Sequence, residues 1–404
     1  MAATLRRALG LSHLVLFGWV YIGPLAVFAT YGIITQSTGG RLALAYVVTL
    51  IVVAFTALSY ARMAAAYPVT GSSYSYIRNT FGATPGYLTG WSLLLDYLFL
   101  PMLSYLFMGI YLHAALPAIP QWAFVVAAIV IGTVLNVIGI VSVARANVVI
   151  VGVQVLFIAT FLVLALIKGL GRTDVSLLTP LRGDGTATGS AVIFAGAAIL
   201  CLSFLGFDAV STLSEEATQP TRDVPRAIMI ATIGAGLLFI VLAYVSQLAL
   251  PSNSFSDPDS GAVDVMRAVG GGFLDTFFTA VFVPGALGAA LTSQASVARV
   301  LYAMGRDGTI PRSFFGSLSP HFRTPVPAIL LVGAVSLLAL VIDLETMASI
   351  VSFGALVAFS AVNLSVVKHY FIDENRRDGS GFIWNLALPL IGFALTVWLW
   401  TNLS

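Results

Sequence analysis

The chain has 404 residues, of which 19 are Lys or Arg and 17 are Asp or Glu, so 9% are charged where soluble domains carry about 25%. With 59% hydrophobic residues and a mean hydropathy of +0.98, a soluble fold of this length would leave too much apolar surface in water; composition excludes a cytosolic enzyme or secreted module and points to an integral membrane protein. A net charge of +2 offers no basic field for nucleic acid, and the single cysteine, Cys201, cannot form an internal disulfide.

A hydrocarbon core about 30 Å thick takes about 20 apolar helical residues to cross. Eleven such runs follow in order: 11–35, 42–61, 85–112, 122–142, 148–167, 191–213, 227–250, 271–304, 326–342, 347–367 and 382–403. The first is too long for a signal peptide, carries Gly-Pro in its middle and lacks a small-residue cleavage site, so it is expected to stay. With the N-terminus inside, 14 Lys and Arg fall on inner segments and 5 on outer ones, as the positive-inside rule requires. Ser404 is then outside. The outer segments carry Asp174, Asp184, Asp257, Asp259, Asp264, Asp275, Asp343 and Glu345, which either draw cations weakly or are ordinary solvated residues.

Two spans look broken. Span 1 contains Tyr21-Ile22-Gly23-Pro24, where proline removes an N–H and clashes with the preceding turn. Span 6 contains Ser203-Phe204-Leu205-Gly206-Phe207-Asp208, where a glycine and then an acid interrupt the apolar run. Interruptions at matching places in two five-span halves point to an inverted-repeat transporter with a site at mid-membrane. The halves are residues 1–169 and 190–370, with 381–404 as an eleventh helix.

Asp96 stands about 16 Å into span 3, roughly half the core thickness, and Asp208 lies at the break of span 6. A charge at that depth costs about 3 kcal/mol on insertion scales. Such an acid either faces a cavity and meets a cation or proton, or is a neutralised, hydrogen-bonded tie between helices. No Lys or Arg lies mid-span to pair with it; Arg299 and Lys168 are near span ends and can snorkel. While the site is empty, desolvation favours a proton on at least one of the two acids, which couples proton and amine binding.

From span 1 to span 10 the chain resembles the amino acid/polyamine/organocation permeases. The segment from Tyr67-Pro68 through Thr70-Gly71-Ser72-Ser73 to Tyr76 is similar to their inner-loop motif. Gly206-Phe207-Asp208 with Glu215, Glu216, Pro220, Arg222, Pro225 and Arg226 resembles their most recognisable signature, and Ala295 to Arg299 leading into Gly305-Arg306-Asp307-Gly308 resembles another. The strings Gly90-Trp91-Ser92-Leu93-Leu94-Leu95-Asp96-Tyr97 and Phe353-Gly354-Ala355 are similar to the bacterial putrescine importers. The resemblance implies an all-helical five-plus-five core with discontinuous helices 1 and 6, alternating access, and proton-driven uptake of a polyamine. Family members usually have twelve spans where this chain has eleven. Where proton-coupled amino acid relatives have a lysine on helix 5, this chain has Gln154, and where exchangers have a gating tryptophan it has Leu202. The occluding aromatic is then expected at Phe204 or Phe207.

The break of span 1 favours an amine over an amino acid. Proline has lost a donor that a substrate carboxylate would need, while carbonyls ending the first halves of spans 1 and 6 suit a cation. Asp96 and Asp208 are expected to take the two ends of a diamine. Tyr21, Trp91, Tyr97 and Phe207 either line its methylenes or simply pack helices. Thr292, Ser293 and Ser296 on span 8 bind substrate, bind sodium if sodium is the coupling ion, or bond their own preceding turn. Coupling is assigned to Asp96, Asp208 and Gln154, and an inner gate to Glu215, Glu216, Arg222 and Arg226, joined by Asp223 and Asp307. His13, His113, His321 and His369 have no metal-ligand spacing, and no cofactor is expected beyond the proton or sodium. The expected partners are the lipid bilayer and a small cationic substrate, with the chain a monomer or weak homo-oligomer. An amino acid permease is the alternative; an intramembrane acid/base enzyme would leave the broken helices unexplained.

Overall fold

An apolar run in lipid must satisfy its backbone internally, and a helix does this within one segment. A computed structural model describes residues 9–403 except 70, 71, 139–142, 174, 184, 186–188, 307, 309, 320, 321 and 323; the side chains of 94, 95, 143–148, 299, 300, 303, 304 and 306 are also not described. Thr70, Gly71, Asp174, Asp184, Asp307 and His321, and the side chains of Leu94, Leu95, Arg299 and Arg306, therefore lie outside the described residues. The described regular structure is helical, apart from one isolated bridge between Leu9 and Ala217.

Span 1 is α1 (Leu11–Ile22), a 3-10 turn (Ala26–Phe28) and α2 (Tyr31–Ser37). Span 2 is α3 (Leu42–Ala66); a short α4 (Ser72–Phe81) leads into span 3, α5 (Ala83–Ala115). Spans 4 and 5 are α6 (Gln121–Ile138) and α7 (Val143–Leu170). After a single turn, α8 (Thr179–Arg182), span 6 starts as α9 (Ala191–Leu200) and continues through 3-10 turns at Cys201–Phe204 and Ala209–Leu213. Spans 7 and 8 are α10 (Pro220–Ala249) and α11 (Gly261–Arg306), the latter kinked at Gly270 and Gly271. Past a turn, α12 (Arg312–Phe315), come α13 (Val326–Ser336) and α14 (Leu344–Val366), then α15 (Gly379–Phe382) and α16 (Leu388–Trp400) as span 11. Ten helices among the described residues are long and apolar enough to cross a membrane, and Val326–Leu340 is a shorter apolar helix.

Both expected breaks are present. At the first, Pro24 cannot donate to the Val20 carbonyl, Gly23 takes φ +76°, and the Ala26 N–H turns back to the Gly23 carbonyl at 2.9 Å. At the second, Gly206 takes φ +121°, which an L side chain rarely adopts. A Cβ on Gly206 would fall 2.5 Å from Tyr21 Cδ1 and 2.9 Å from the Ile22 nitrogen. Only a glycine lets the two breaks touch.

Three polar ties hold the surrounding helices. Gln294 accepts from Tyr105 (2.8 Å) and Asn136 (2.9 Å) and donates to Thr133 (3.2 Å) and the Ile329 carbonyl (3.1 Å), linking spans 3, 4, 8 and 9. Asn363 donates to Thr56 (3.1 Å) and Thr396 (3.3 Å), fastening span 11 to spans 2 and 10. Arg62 donates to Asn385 at one end of the same group. Side-chain networks of this kind fix helix register where apolar contacts alone do not.

Candidate functional site

The two mid-span acids come together where the broken spans cross. Asp96 and Asp208 are both 1% exposed, and Tyr21 lies within electrostatic range of each. The Asp208 carboxylate accepts from Tyr97 Oη (2.9 Å) and from the Gly206 N–H (3.2 Å). Asp96 Oδ1 is buried with no hydrogen-bond partner. Neither acid forms an ion pair with Lys or Arg among the described residues. Gly354 on α14 makes room for this arrangement, since a Cβ there would stand 2.9 Å from the Ser92 carbonyl and 3.3 Å from Asp96 Cβ. An ionised carboxylate so placed requires an amine or a proton to neutralise it.

A cavity of about 120 Å³ lies between the break of span 1 and the facing stretches of α5, α7 and α11; Asp96, Tyr97, Gly206 and Asp208 do not line it, and Tyr21, which does, connects it to the two acids. Its volume is room for several waters or a small organic cation. Tyr21, Ile22, Gly23, Gln154, Ser203 and Thr292 all line it. Its far end is bounded by Phe107 and Phe282, with Phe282 packed against Tyr111 at 4.5 Å between centroids. Gln154 is 5% exposed and lies against Gly285, where an added Cβ would be 2.3 Å from Nε2.

On the other side of Asp208, α4 closes the path. Ser72 Oγ donates to the Asp208 carbonyl (3.5 Å), and Tyr76 is fully buried. Tyr60 stacks edge-on with Tyr76, Phe207 and Phe359 at 6.1, 5.4 and 5.9 Å. The stretch expected as an inner loop is thus partly a helix that plugs one end of the site.

Several expected residues are placed elsewhere. Trp91 is 54% exposed on the outer face of α5: five residues before Asp96 is about 140° around a helix, away from the acid. Phe204 packs with Tyr46 and Phe239 (6.4 and 5.6 Å) and does not line the cavity. Phe207 belongs to the plug cluster, so the aromatics next to the cavity are Tyr21, Phe107 and Phe282. Pro24 is buried but does not line the cavity; it shapes the break. On α11, Thr292, Ser293 and Ser296 donate back to the carbonyls of Gly288 (2.9 Å), Ala289 (2.7 Å) and Thr292 (2.8 Å), and of the three only Thr292 reaches the cavity. No cluster of His, Cys, Asp or Glu among the described residues could hold a metal ion.

Glu215, Glu216, Arg222 and Arg226 lie at one end of the bundle, Glu215, Arg222 and Arg226 exposed and Glu216 partly so. Arg222 donates to Gln219 Oε1 (3.4 Å), and Arg226 turns into a surface groove. Backbone pairing also ties this stretch: Leu9 N–H donates to the Glu216 carbonyl (3.0 Å) and Thr218 N–H to the Leu9 carbonyl (2.9 Å). Phe107, Phe282 and Tyr60 escape sequence reasoning because apolar and aromatic residues in apolar helices carry no positional signal. The small-residue run Gly285-Ala286-Leu287-Gly288-Ala289-Ala290 is the signal that could have found the cavity wall, since it keeps side-chain volume out of one helix face.

The sequence profile of the amino acid permease family matches residues 12–403. The low-affinity putrescine importer PlaP of Escherichia coli is 41% identical, the alignment covering 99% of this chain and 89% of that protein. The branched-chain amino acid permease BcaP of Bacillus subtilis is 28% identical over 90% of this chain and 81% of its own. Cationic amino acid transporter 6 of Arabidopsis thaliana is 28% identical over 85% of this chain and 62% of its own.

Proposed function

The chain belongs to the amino acid permease family, and from that premise we propose that it is a secondary active transporter importing a putrescine-like diamine across the cytoplasmic membrane. The observation that carries the proposal is a pair of buried carboxylates at the crossing of two broken helices with no basic side chain to neutralise them among the described residues. A diamine supplies two positive ends. Asp208, already held by Tyr97 and Gly206, takes one ammonium; Asp96, with a free carboxylate oxygen, takes the other. Tyr21 and the apolar cavity wall accommodate the methylenes.

The relatives divide between an amine and amino acids, and the backbone amides distinguish the two substrates. A carboxylate needs free N–H groups at a helix break. Here Gly23 N–H is engaged with the Trp19 carbonyl (3.0 Å), Pro24 has none, and Leu205, Gly206 and Phe207 donate to Leu202, Asp208 and Phe204 (3.2, 3.2 and 3.5 Å). With these donors spent, the two breaks hold out to a carboxylate few of the backbone amides that such a group needs.

The coupling ion in this scheme is the proton, resident on Asp96 or Asp208 in the empty site and exchanged or shared with the incoming ammonium. Gln154 contributes an amide to the cavity without a charge of its own. Residues 1–169 and 190–370 form the two inverted repeats and 381–404 an additional helix; packing of α3 along α10 and of α5 along α11 supports this pairing. Alternating access then opens either the Phe107–Phe282 end or the Tyr60–Tyr76–Phe207–Phe359 end. The N-terminus is inside, the inner charges from Glu215 to Arg226 flank the second of these gates, and the transporter works as a monomer or weak homo-oligomer.

The deciding experiment is uptake into proteoliposomes of putrescine, spermidine, arginine and alanine, each under a proton gradient and then a sodium gradient. Saturable putrescine uptake driven by protons is expected. Saturable alanine uptake without putrescine uptake would make the chain an amino acid permease, and sodium-driven uptake would reassign the coupling ion.

A further inference from the structure

A second concavity, sharing no lining residue with the first, opens at the end of the bundle where α3 finishes and α10 starts. Three arginines line it: Arg62 from α3, Arg226 from α10 and Arg376 beyond α14. Arg62 and Arg376 both lie over the Tyr370 ring, at 4.5 and 5.3 Å from its centroid. The near acid is Glu374, bound to Arg376 at 2.7 Å. Arg226 is exposed and makes no hydrogen bond or ion pair among the described residues, and Arg62 Nε is buried without an acceptor among them although another of its nitrogens reaches Asn385. Two guanidinium groups therefore look for an anion at one spot.

The helices that carry them turn apolar in the same direction. On α3, Leu58 stands one turn before Arg62 on the same face, and on α10 Ile230 stands one turn after Arg226. Because α3 ends and α10 begins at this end, both steps run into the hydrocarbon layer. Ala61, Ala65 and Met229 fill the wall between them, and Ile230 is 48% exposed. The concavity thus has a cationic rim and an apolar wall leading inward, the polarity sequence of a phospholipid rather than of a free phosphate or a peptide.

We propose that this groove binds one anionic phospholipid, its phosphate on Arg62, Arg226 and Arg376 and an acyl chain along the Leu58–Ile230 wall. Basic recesses between spans recognise anionic head groups through the same charge chemistry, and guanidinium groups engage phosphate in paired hydrogen bonds. The site is independent of the transport reading.

The test uses the purified full chain, delipidated in detergent, with native mass spectrometry to count retained lipid. Dioleoylphosphatidylglycerol is compared with dioleoylphosphatidylcholine of identical acyl chains, and glycerol 3-phosphate serves as the free-phosphate arm. Retention of the anionic lipid over the zwitterionic one is expected, falling about fivefold in Arg226→Gln. Arg226 makes no hydrogen bond or ion pair with a described residue, so the variant is expected to fold; its thermal unfolding without lipid should match the parent, while added phosphatidylglycerol should raise it less. Equal retention of the two lipids, unchanged retention by Arg226→Gln, or glycerol 3-phosphate stabilising as well as the lipid would each overturn the proposal.

Discussion

Single atoms decide how the buried pair behaves. Tyr97 Oη is the side-chain donor to Asp208 among the described residues, and a hydrogen bond to a charged group contributes about 1.5–3 kcal/mol. Tyr97→Phe should therefore weaken putrescine uptake by about 10- to 100-fold through a raised KM, with expression and thermal unfolding little changed. A wild-type KM in that variant would remove Tyr97 from the site. Gly206→Ala tests a harsher constraint, because the new Cβ meets both Tyr21 and the Ile22 backbone and φ +121° is foreign to alanine. Transport should vanish, and wild-type uptake would show that the breaks do not need to touch. At this scale the acids and helix breakers were legible, because a charge or a Gly-Pro inside an apolar run costs too much to be incidental. The aromatics were not. Trp91 is close to Asp96 in sequence and points elsewhere, while Phe107 and Phe282, which bound the cavity, look like any other apolar residue in a span.

Among the elements, broken helices depend on unbroken ones for position. Gln294 is the hub for spans 3, 4, 8 and 9, and Gln294→Leu would strand Tyr105 Oη and the Asn136 amide in a buried place. About 1–3 kcal/mol per stranded group is the expected cost, read as a lower unfolding temperature in detergent; an unchanged temperature would mean the hub is dispensable. Asn363 does the same for span 11, and Asn363→Leu should loosen α16 and raise hydrogen exchange there ahead of the core. Uniform exchange across the bundle would contradict it. Element existence was readable because each span is a long apolar run, and the two interruptions are visible as letters. What α4 does was not readable. A polar ten-residue helix looks like a solvated linker, and only the packing of Tyr76 against Tyr60 and of Ser72 against the Asp208 carbonyl turns it into a plug.

For the molecule as a whole, scarcity of charge is the organising fact. Most of its Lys and Arg lie at span ends, where such charges orient a chain in the bilayer, and Arg62, Arg226 and Arg376 line one concavity there. Two acids remain at mid-depth, and the account stands on each of them receiving one end of a diamine. The most direct measurement compares putrescine with n-butylamine, which has a single ammonium and the same carbon chain, as competitors for labelled putrescine binding by the parent chain and by Asp96→Asn. The parent should prefer putrescine by at least about tenfold, the equivalent of about 1.4 kcal/mol, and Asp96→Asn should bind the two amines alike. A variant that keeps the parent's preference for the diamine would contradict the account, because the second ammonium would then be recognised somewhere other than Asp96.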